Sequence, residues 1–354
     1  MSTAWFFLVL ALTVAWVLLP LIPAIRELLW PTDAVPLNAV GHDAGALTVF
    51  AEGFREYLQR ALPAGAASSG AGPGALSDGT AYMQLADSDE PLQSVARSDG
   101  VIPCLVMATA PLRTRGGETF LLEVLARRSW EGGPDAVYRA LLAEQGATLG
   151  ERSTVLRWLH VEGDLVVGRE SVLDGRASAT GVMFLESGVS FRRVGAARIV
   201  AGRTPAPLPA VQTPVLNGTT KFPARARRER GFTRIDGDFT VPSGTTVFGS
   251  LVVSGRLTVE PHARVGGSLK SHGDCSIGDD CVVDGSVISR GSVEIGRNCS
   301  IGGSVVAENN ASLGENSSVG SPDSPASISA WSIDVQLGSQ VFGAVTARDR
   351  ARVV

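Results

Sequence analysis

Residues Val247 to Ser318 hold four consecutive copies of one eighteen-residue unit, opening at Val247, Val265, Val283 and Ile301. Inside each copy a shorter period of six persists. An aliphatic or small residue recurs with a second one two places later, as in Leu251/Val253, Leu257/Val259, Ala263/Val265, Cys275/Ile277, Cys281/Val283, Val293/Ile295, Cys299/Ile301 and Ala311/Leu313. Residues two apart share one face of a strand, and the Gly or polar pair between hexads supplies a bend. Three such strands close a triangle. The period therefore predicts a mainly β fold, a single-layered parallel β-helix in which each coil pairs its backbone with the coils above and below. This stretch has neither apolar residues at helical spacing nor the Asn-Gly turns of an antiparallel barrel. A disordered Gly-rich tail would not keep aliphatic residues in register over so many positions.

The solenoid extends beyond the clean copies. Upstream, Ile235, Phe239, Val241 and Val247 make a shortened first coil. Downstream, a coil opening at Val319 bulges through Ser321, Pro322, Asp323, Ser324 and Pro325, and register returns at Val335, Leu337, Val341 and Val345. There Val341-Phe342-Gly343-Ala344-Val345 repeats Val247-Phe248-Gly249-Ser250-Leu251. The β-helix is expected over 232–347, followed by a short charged tail at 348–354.

Ala4 to Pro23 is an uncharged apolar run, long enough at about 1.5 Å per residue to cross a bilayer core of ~30 Å. Trp5 and Trp30 fall near the expected interfaces. No Lys or Arg precedes the run and Leu21-Ile22-Pro23-Ala24 is a poor cleavage site, so residues 1–30 are expected to be an uncleaved transmembrane anchor in the cell inner membrane. Arg26, Arg55 and Arg60 after the run favour a cytoplasmic C-terminal body.

Residues 31–202 read as a smaller α+β or β-rich middle region. An amphipathic helix is expected over Ala44–Leu62, carrying Leu47, Phe50, Phe54, Tyr57, Leu58 and Leu62, followed by a flexible Gly/Ala/Ser loop at 65–79. Strands are expected at Val101–Ala108 and Thr119–Ala126, with a helix at Pro134–Glu144. From Trp158 onward extended bursts separated by glycines suggest a looser module of the same β-helical kind. Residues 203–231 form a Pro-rich linker that ends in Lys221, Arg225, Arg227, Arg228 and Arg230. Such a cluster is ordinarily a solvated charge run; in a membrane-tethered chain it is also a candidate surface for anionic lipid headgroups.

The chain carries 31 Lys and Arg against 35 Asp and Glu, a balance that gives no case for a nucleic-acid partner. Four cysteines do not make a disulfide framework. Cys281 and Cys299 lie one coil apart at positions held elsewhere by Val, Ala and Leu, as small hydrophobes would. His42, His160, His262 and His272 are the only histidines; His262 and His272 fall at predicted corners, where a solvent-facing side chain is the simpler reading. No phosphate loop, nucleophile elbow or kinase signature occurs, so no catalytic, cofactor-binding or metal-ligating residue is expected.

Gly231 to Ala347 resembles the bactofilins, the bacterial polymer-forming cytoskeletal proteins. The resemblance rests on Ile235-Asp236-Gly237-Asp238-Phe239, on the Gly-Ser-aliphatic turns at Gly249, Gly267, Gly285 and Gly303, and on Phe342-Gly343. It implies a non-enzymatic β-helix that polymerises end to end without nucleotide, often on a membrane; the eighteen-residue period suits either hand. An open coil edge exposes unpaired N–H and C=O groups and templates pairing with another chain, which makes Val341, Phe342 and Val345 of the final coil the candidate polymer interface. The alternative is a membrane-tethered hexapeptide-repeat acyltransferase. The hexads Ile277-Gly278, Ile295-Gly296, Ile301-Gly302 and Leu313-Gly314 are similar to that family, and its resemblance implies a closed trimer with His262 or His272 as general base.

Overall fold

The computed structural model describes Trp5 and residues 47–63, 71–86, 88–97, 99–203, 218–219, 221–223, 226–229 and 231–354. Met1–Val49 and Phe50–Val354 are separate compact units. The expected anchor at 1–30 lies outside the described residues, apart from Trp5. Among the described residues no helix is long and apolar enough to cross a membrane.

Phe50–Val354 is mainly β, a solenoid of about 13 turns with few helices. It consists of two stacks of parallel coils. In the C-terminal stack the interior columns follow the sequence period: Leu251, Leu269, Val287 and Val305 on one face, Leu257, Cys275, Val293 and Ala311 on the second, Val247, Val265, Val283 and Ile301 on the third. All twelve are buried. Each fully buried aliphatic side chain is worth about 1.5–3 kcal/mol, so the repeated column is itself the core. At the corners the backbone turns left-handed at His262, Asp280, Asn298 and Asn316, with φ between 55° and 62°. Asn and Asp tolerate that conformation best, which suits them to a corner repeated in every coil.

The middle region is the second stack. Val101 pairs with Thr119, Thr119 with Val137, Val137 with Thr154, Thr154 with Val172 and Val172 with Ser190, all in parallel register. Its left-handed corners are Asp135, Arg152 and Glu170. The looser module read from the glycine spacing is thus a full β-helix, and it begins well before Trp158.

Three local expectations are corrected. Pro134–Glu144 is not a helix; Val137–Ala143 is a strand between Thr119–Ala126 and Thr154–Val161. Leu141 and Ala143 face the solenoid interior, while Ala140 and Leu142 face outward beneath the helix Val49–Ala61. A strand buried on both faces loses the alternation that betrays it. The expected loop at 65–79 contains the strand Gly72–Ala75, which hairpins against Ala81–Leu85. The expected charged tail at 348–354 continues the strand Gln340–Val353: Arg348, Asp349 and Arg350 point outward, while Ala351 and Val353 are buried.

The helix expected over Ala44–Leu62 spans Val49–Ala61. Ala51, Phe54, Leu58 and Ala61 press onto Leu105, Leu125, Leu142 and Trp158. The Phe54 and Trp158 rings are 5.6 Å apart. A second, short helix, Glu90–Val95, lies beside the first coils of this stack.

Candidate functional site

The two stacks meet at their last coils. Ser190–Ala201 and Gln340–Val353 run antiparallel, pairing Phe191 with Ala351, Val194 with Val345, Gly195 with Ala344, Ala196 with Gly343 and Ile199 with Val341. The interior columns pass through this seam without a break, so the buried apolar residues of both stacks form one cluster. The large Phe191 ring lies opposite the small Ala351, and the cavity left there is about 10 Å³, no larger than one water. Main-chain bonds close the edges: Gly188 N–H donates to Val353 O, and Gly338 N–H to Ala201 O, at 2.9 and 2.8 Å.

Val341, Phe342 and Val345, expected to form a free end, are therefore occupied by the chain's own middle region. Their exposures are 1%, 3% and 1%. The repeated motif isolates the cause. Phe248, which stands where Phe342 stands but in a coil away from the seam, is 69% exposed. Phe342 lies beneath the Arg198 guanidinium, whose carbon is 5.6 Å from the ring centroid.

With the C-terminal edges joined, both tips of the solenoid are N-terminal edges. At the tip of the C-terminal stack, Arg227–Glu229 pairs antiparallel with Phe232–Ile235, and Gly218–Thr219 pairs with Thr245–Thr246. Phe222 stacks on Phe239, with centroids 6.0 Å apart. Among the described residues no strand covers the outer edge of Phe239–Val241. At the other tip Gly72–Ala75 is the terminal strand, and its Pro73 and glycines make a poor template for further pairing. Of the expected basic cluster, Lys221, Arg227 and Arg228 are exposed at the first tip; Arg225 and Arg230 lie outside the described residues.

His262 is a left-handed corner residue, 63% exposed at its side chain, with Nδ1 3.8 Å from Asp280. His272 is also exposed, and His42 lies outside the described residues. His160 is buried under the helix Val49–Ala61, with Nδ1 2.8 Å from Ser178 Oγ. Burial, and then the nearby Arg55 charge, hold His160 below the usual histidine range. The Ser–His pair is sealed by the helix, so it is placed as part of a packing interface.

Cys281 and Cys299 occupy a corner column that continues as Ser317 and Ser339. Cys281 and Cys299 thiols donate to Glu260 O and Gly278 O at 3.2 and 3.1 Å, and Ser317 and Ser339 hydroxyls donate to Gly296 O and Gly314 O at 2.8 and 2.6 Å. The thiols thus satisfy a carbonyl of the previous coil as well as filling space. Contact with the Cys281 sulfur, together with burial, pushes the Cys299 thiol up, and burial pushes Cys275 up to about 12.

A groove of about 440 Å³ follows a corner of the middle stack past Thr114, Gly133 and Gly150. Its polar groups hold the turns in place: Glu118 accepts from the Arg115 and Gly116 N–H groups, and Thr114 Oγ1 from Gly133 N–H at 3.1 Å. Asp89 contributes a carboxylate 3.6 Å from Arg115 Nε. Among the described residues no three His, Cys, Asp or Glu side chains are grouped to hold a metal ion. Comparison with family models, with curated proteins and with solved structures finds no match for this chain.

Proposed function

We propose that this chain is a structural protein, held at a membrane through its N-terminal residues, whose β-solenoid self-associates into a polymer or scaffold without nucleotide. The observation that supports this reading is the seam. Here two coil edges join by main-chain pairing and buried side chains, the same contact that links separate solenoids end to end. Because the C-terminal edges are already joined, association between chains would use the N-terminal tips, where among the described residues no strand covers Phe239–Val241. The likeness of Gly231 to Ala347 to the bactofilins agrees with this reading, and the basic residues Lys221, Arg227 and Arg228 suit a tip that works near anionic headgroups.

Electron microscopy of the detergent-solubilised full chain, with no nucleotide added, tests the proposal. Rods joined tip to tip are expected. Charging the open edge with Thr240→Lys should shorten or abolish such chains while leaving the circular dichroism unchanged. Discrete trimers that persist in Thr240→Lys would overturn the reading and favour the acyltransferase alternative.

A further inference from the structure

Two cysteines occupy successive rungs of one interior column at a corner of the C-terminal stack. The column runs Ala263, Cys281, Cys299, Ser317 and Ser339, each directly following a left-handed corner residue, His262, Asp280, Asn298, Asn316 or Gly338. All five are buried. The residues that follow are in parallel register, Val282 with Ser300 and Val283 with Ile301, which sets the Cα of Cys281 beside that of Cys299 at one strand spacing, about 4.8 Å.

Neither packing nor hydrogen bonding calls for sulfur at this position. Ala263 fills it without a donor, and the Ser317 and Ser339 hydroxyls make the same bond to a carbonyl of the previous coil that the two thiols make. What sulfur adds at two neighbouring rungs is the capacity to bond to itself. Cys275, on another face, has Leu257 and Val293 as its register neighbours, and Cys104 belongs to the middle stack.

From this juxtaposition we infer that Cys281 and Cys299 are a redox modification site, a stacked dithiol that a peroxide closes into a disulfide between successive coils. The Cα separation falls within the span of about 4.4–6.8 Å that a disulfide bridges. The Cys299 S–H donates to the Cys281 sulfur and, against the opposing effect of burial, holds the Cys281 thiol below the usual range, so Cys281 is the sulfur that attacks. Its thiolate displaces hydroxide from hydrogen peroxide, breaking the O–O bond and leaving a sulfenic acid. Cys299 then attacks that sulfur, the S–O bond breaks and a second hydroxide leaves; the two thiol protons convert both hydroxides to water. Each sulfur is oxidised by one electron and each peroxide oxygen is reduced by one. The finished disulfide has two hydrogens fewer than the dithiol and no added atom, so it needs no cavity. The column runs directly beneath the exposed corner residues Asp280 and Asn298, and a local opening of that corner admits an oxidant of this size. The bond ties together two coils otherwise held by strand pairing and packing, and that interface becomes the hardest in the stack to open. The site is independent of the proposed tip-to-tip association, because neither cysteine lies in a terminal coil.

The test uses the detergent-solubilised full chain, reduced, freed of reductant and treated with a small molar excess of hydrogen peroxide. Samples are quenched by unfolding in guanidinium chloride with iodoacetamide and read by mass spectrometry. Free thiols should fall from four to two, and the tryptic peptides holding Cys281 and Cys299, which cleavage at Arg290 and Arg297 would separate, should appear joined. The oxidised protein should melt about 5 °C higher, and dithiothreitol should reverse the shift. Cys281→Ser and Cys299→Ser can keep the hydrogen bond to the previous coil, so each should match wild type by circular dichroism yet form no disulfide and show no shift in melting. Cys275→Ser should retain both responses. The inference is overturned if four thiols stay free under conditions that oxidise the same protein unfolded in guanidinium chloride, or if sulfinic acid forms at either cysteine in place of the bond. A disulfide between two chains, or one within the chain that leaves melting unchanged, overturns it equally.

Discussion

Arg198 caps Phe342 across the seam, its guanidinium carbon 5.6 Å from the ring centroid, while Nε and Nη2 both donate to Gln340 Oε1 at 3.0 and 2.5 Å. One side chain from the middle stack thus holds a ring and an amide from the last coil of the other. Arg198→Ala should destabilise the protein by about 1–3 kcal/mol, combining a charge-assisted hydrogen bond with a cation–π contact. Phe248→Ala, the same motif without a seam partner, should stay within about 0.5 kcal/mol. Guanidinium denaturation midpoints decide between them, and equal shifts would mean that the cap contributes nothing.

Phe342→Arg carries the contrast further. It places a second guanidinium beneath Arg198 in a site that is 3% exposed, so it should open the seam and cost several kcal/mol. Limited proteolysis should then reach the paired strands Ser190–Ala201 and Gln340–Val353. A variant as protease-resistant as wild type would place the stabilising contacts of the seam elsewhere.

The corner column offers a prediction of opposite sign. Glu170 has φ of 57° and is exposed, so the backbone there suits glycine better than an L side chain. Glu170→Gly should raise stability by up to about 1 kcal/mol, the strain relieved being partly offset by the greater entropy of the unfolded chain. Glu170→Val should lower it. Thermal unfolding of the two variants reads the difference directly.

Cys299 tests whether its thiol only fills space. Cys299→Ser should be nearly neutral, because Ser317 and Ser339 make the same hydrogen bond in the following coils, whereas Cys299→Ala should cost about 1 kcal/mol. Native protein should also resist iodoacetamide at pH 8, since every cysteine is buried.

His160 sets a pH window. Its folded pKa lies below the unfolded value of about 6.5, so the unfolded chain takes up the proton first as pH falls. Its contribution is complete above that value and is lost as pH falls through it towards the folded pKa. Tm should therefore drop between pH 7.5 and 5.5, and His160→Asn, which can keep a bond to Ser178, should flatten the drop. The groups facing His160 are Arg55, Glu162, Glu52 and Ser178. Asp135 and Asp279, held low by hydrogen bonds and ion pairs with Arg152 and Arg297, lose their contribution only nearer pH 4, outside this window.

The C-terminal stack was legible because each of its strands has one face in the core and one in water, as Lys270 between Leu269 and Ser271 shows. The middle stack was harder to read for a physical reason. Leu141 and Leu142 are both buried, one inside the solenoid and one beneath a helix contributed from about ninety residues earlier, so no local period marks the strand. The seam leaves still less trace. Phe342 and Phe248 share the sequence Val-Phe-Gly, and the antiparallel strand Ser190–Ala201 lies against the first and not the second.

Between the two stacks strand direction reverses where Phe191 meets Ala351. A single stack of parallel coils has a front and a back, as an arrow does. Two stacks joined at their rear edges make an object that points both ways at once. Both tips are then N-terminal coil edges, distinguished by the strands laid on them: Gly72–Ala75 at one, Arg227–Glu229 and Gly218–Thr219 at the other. An array joined like tip to like tip would carry no heading.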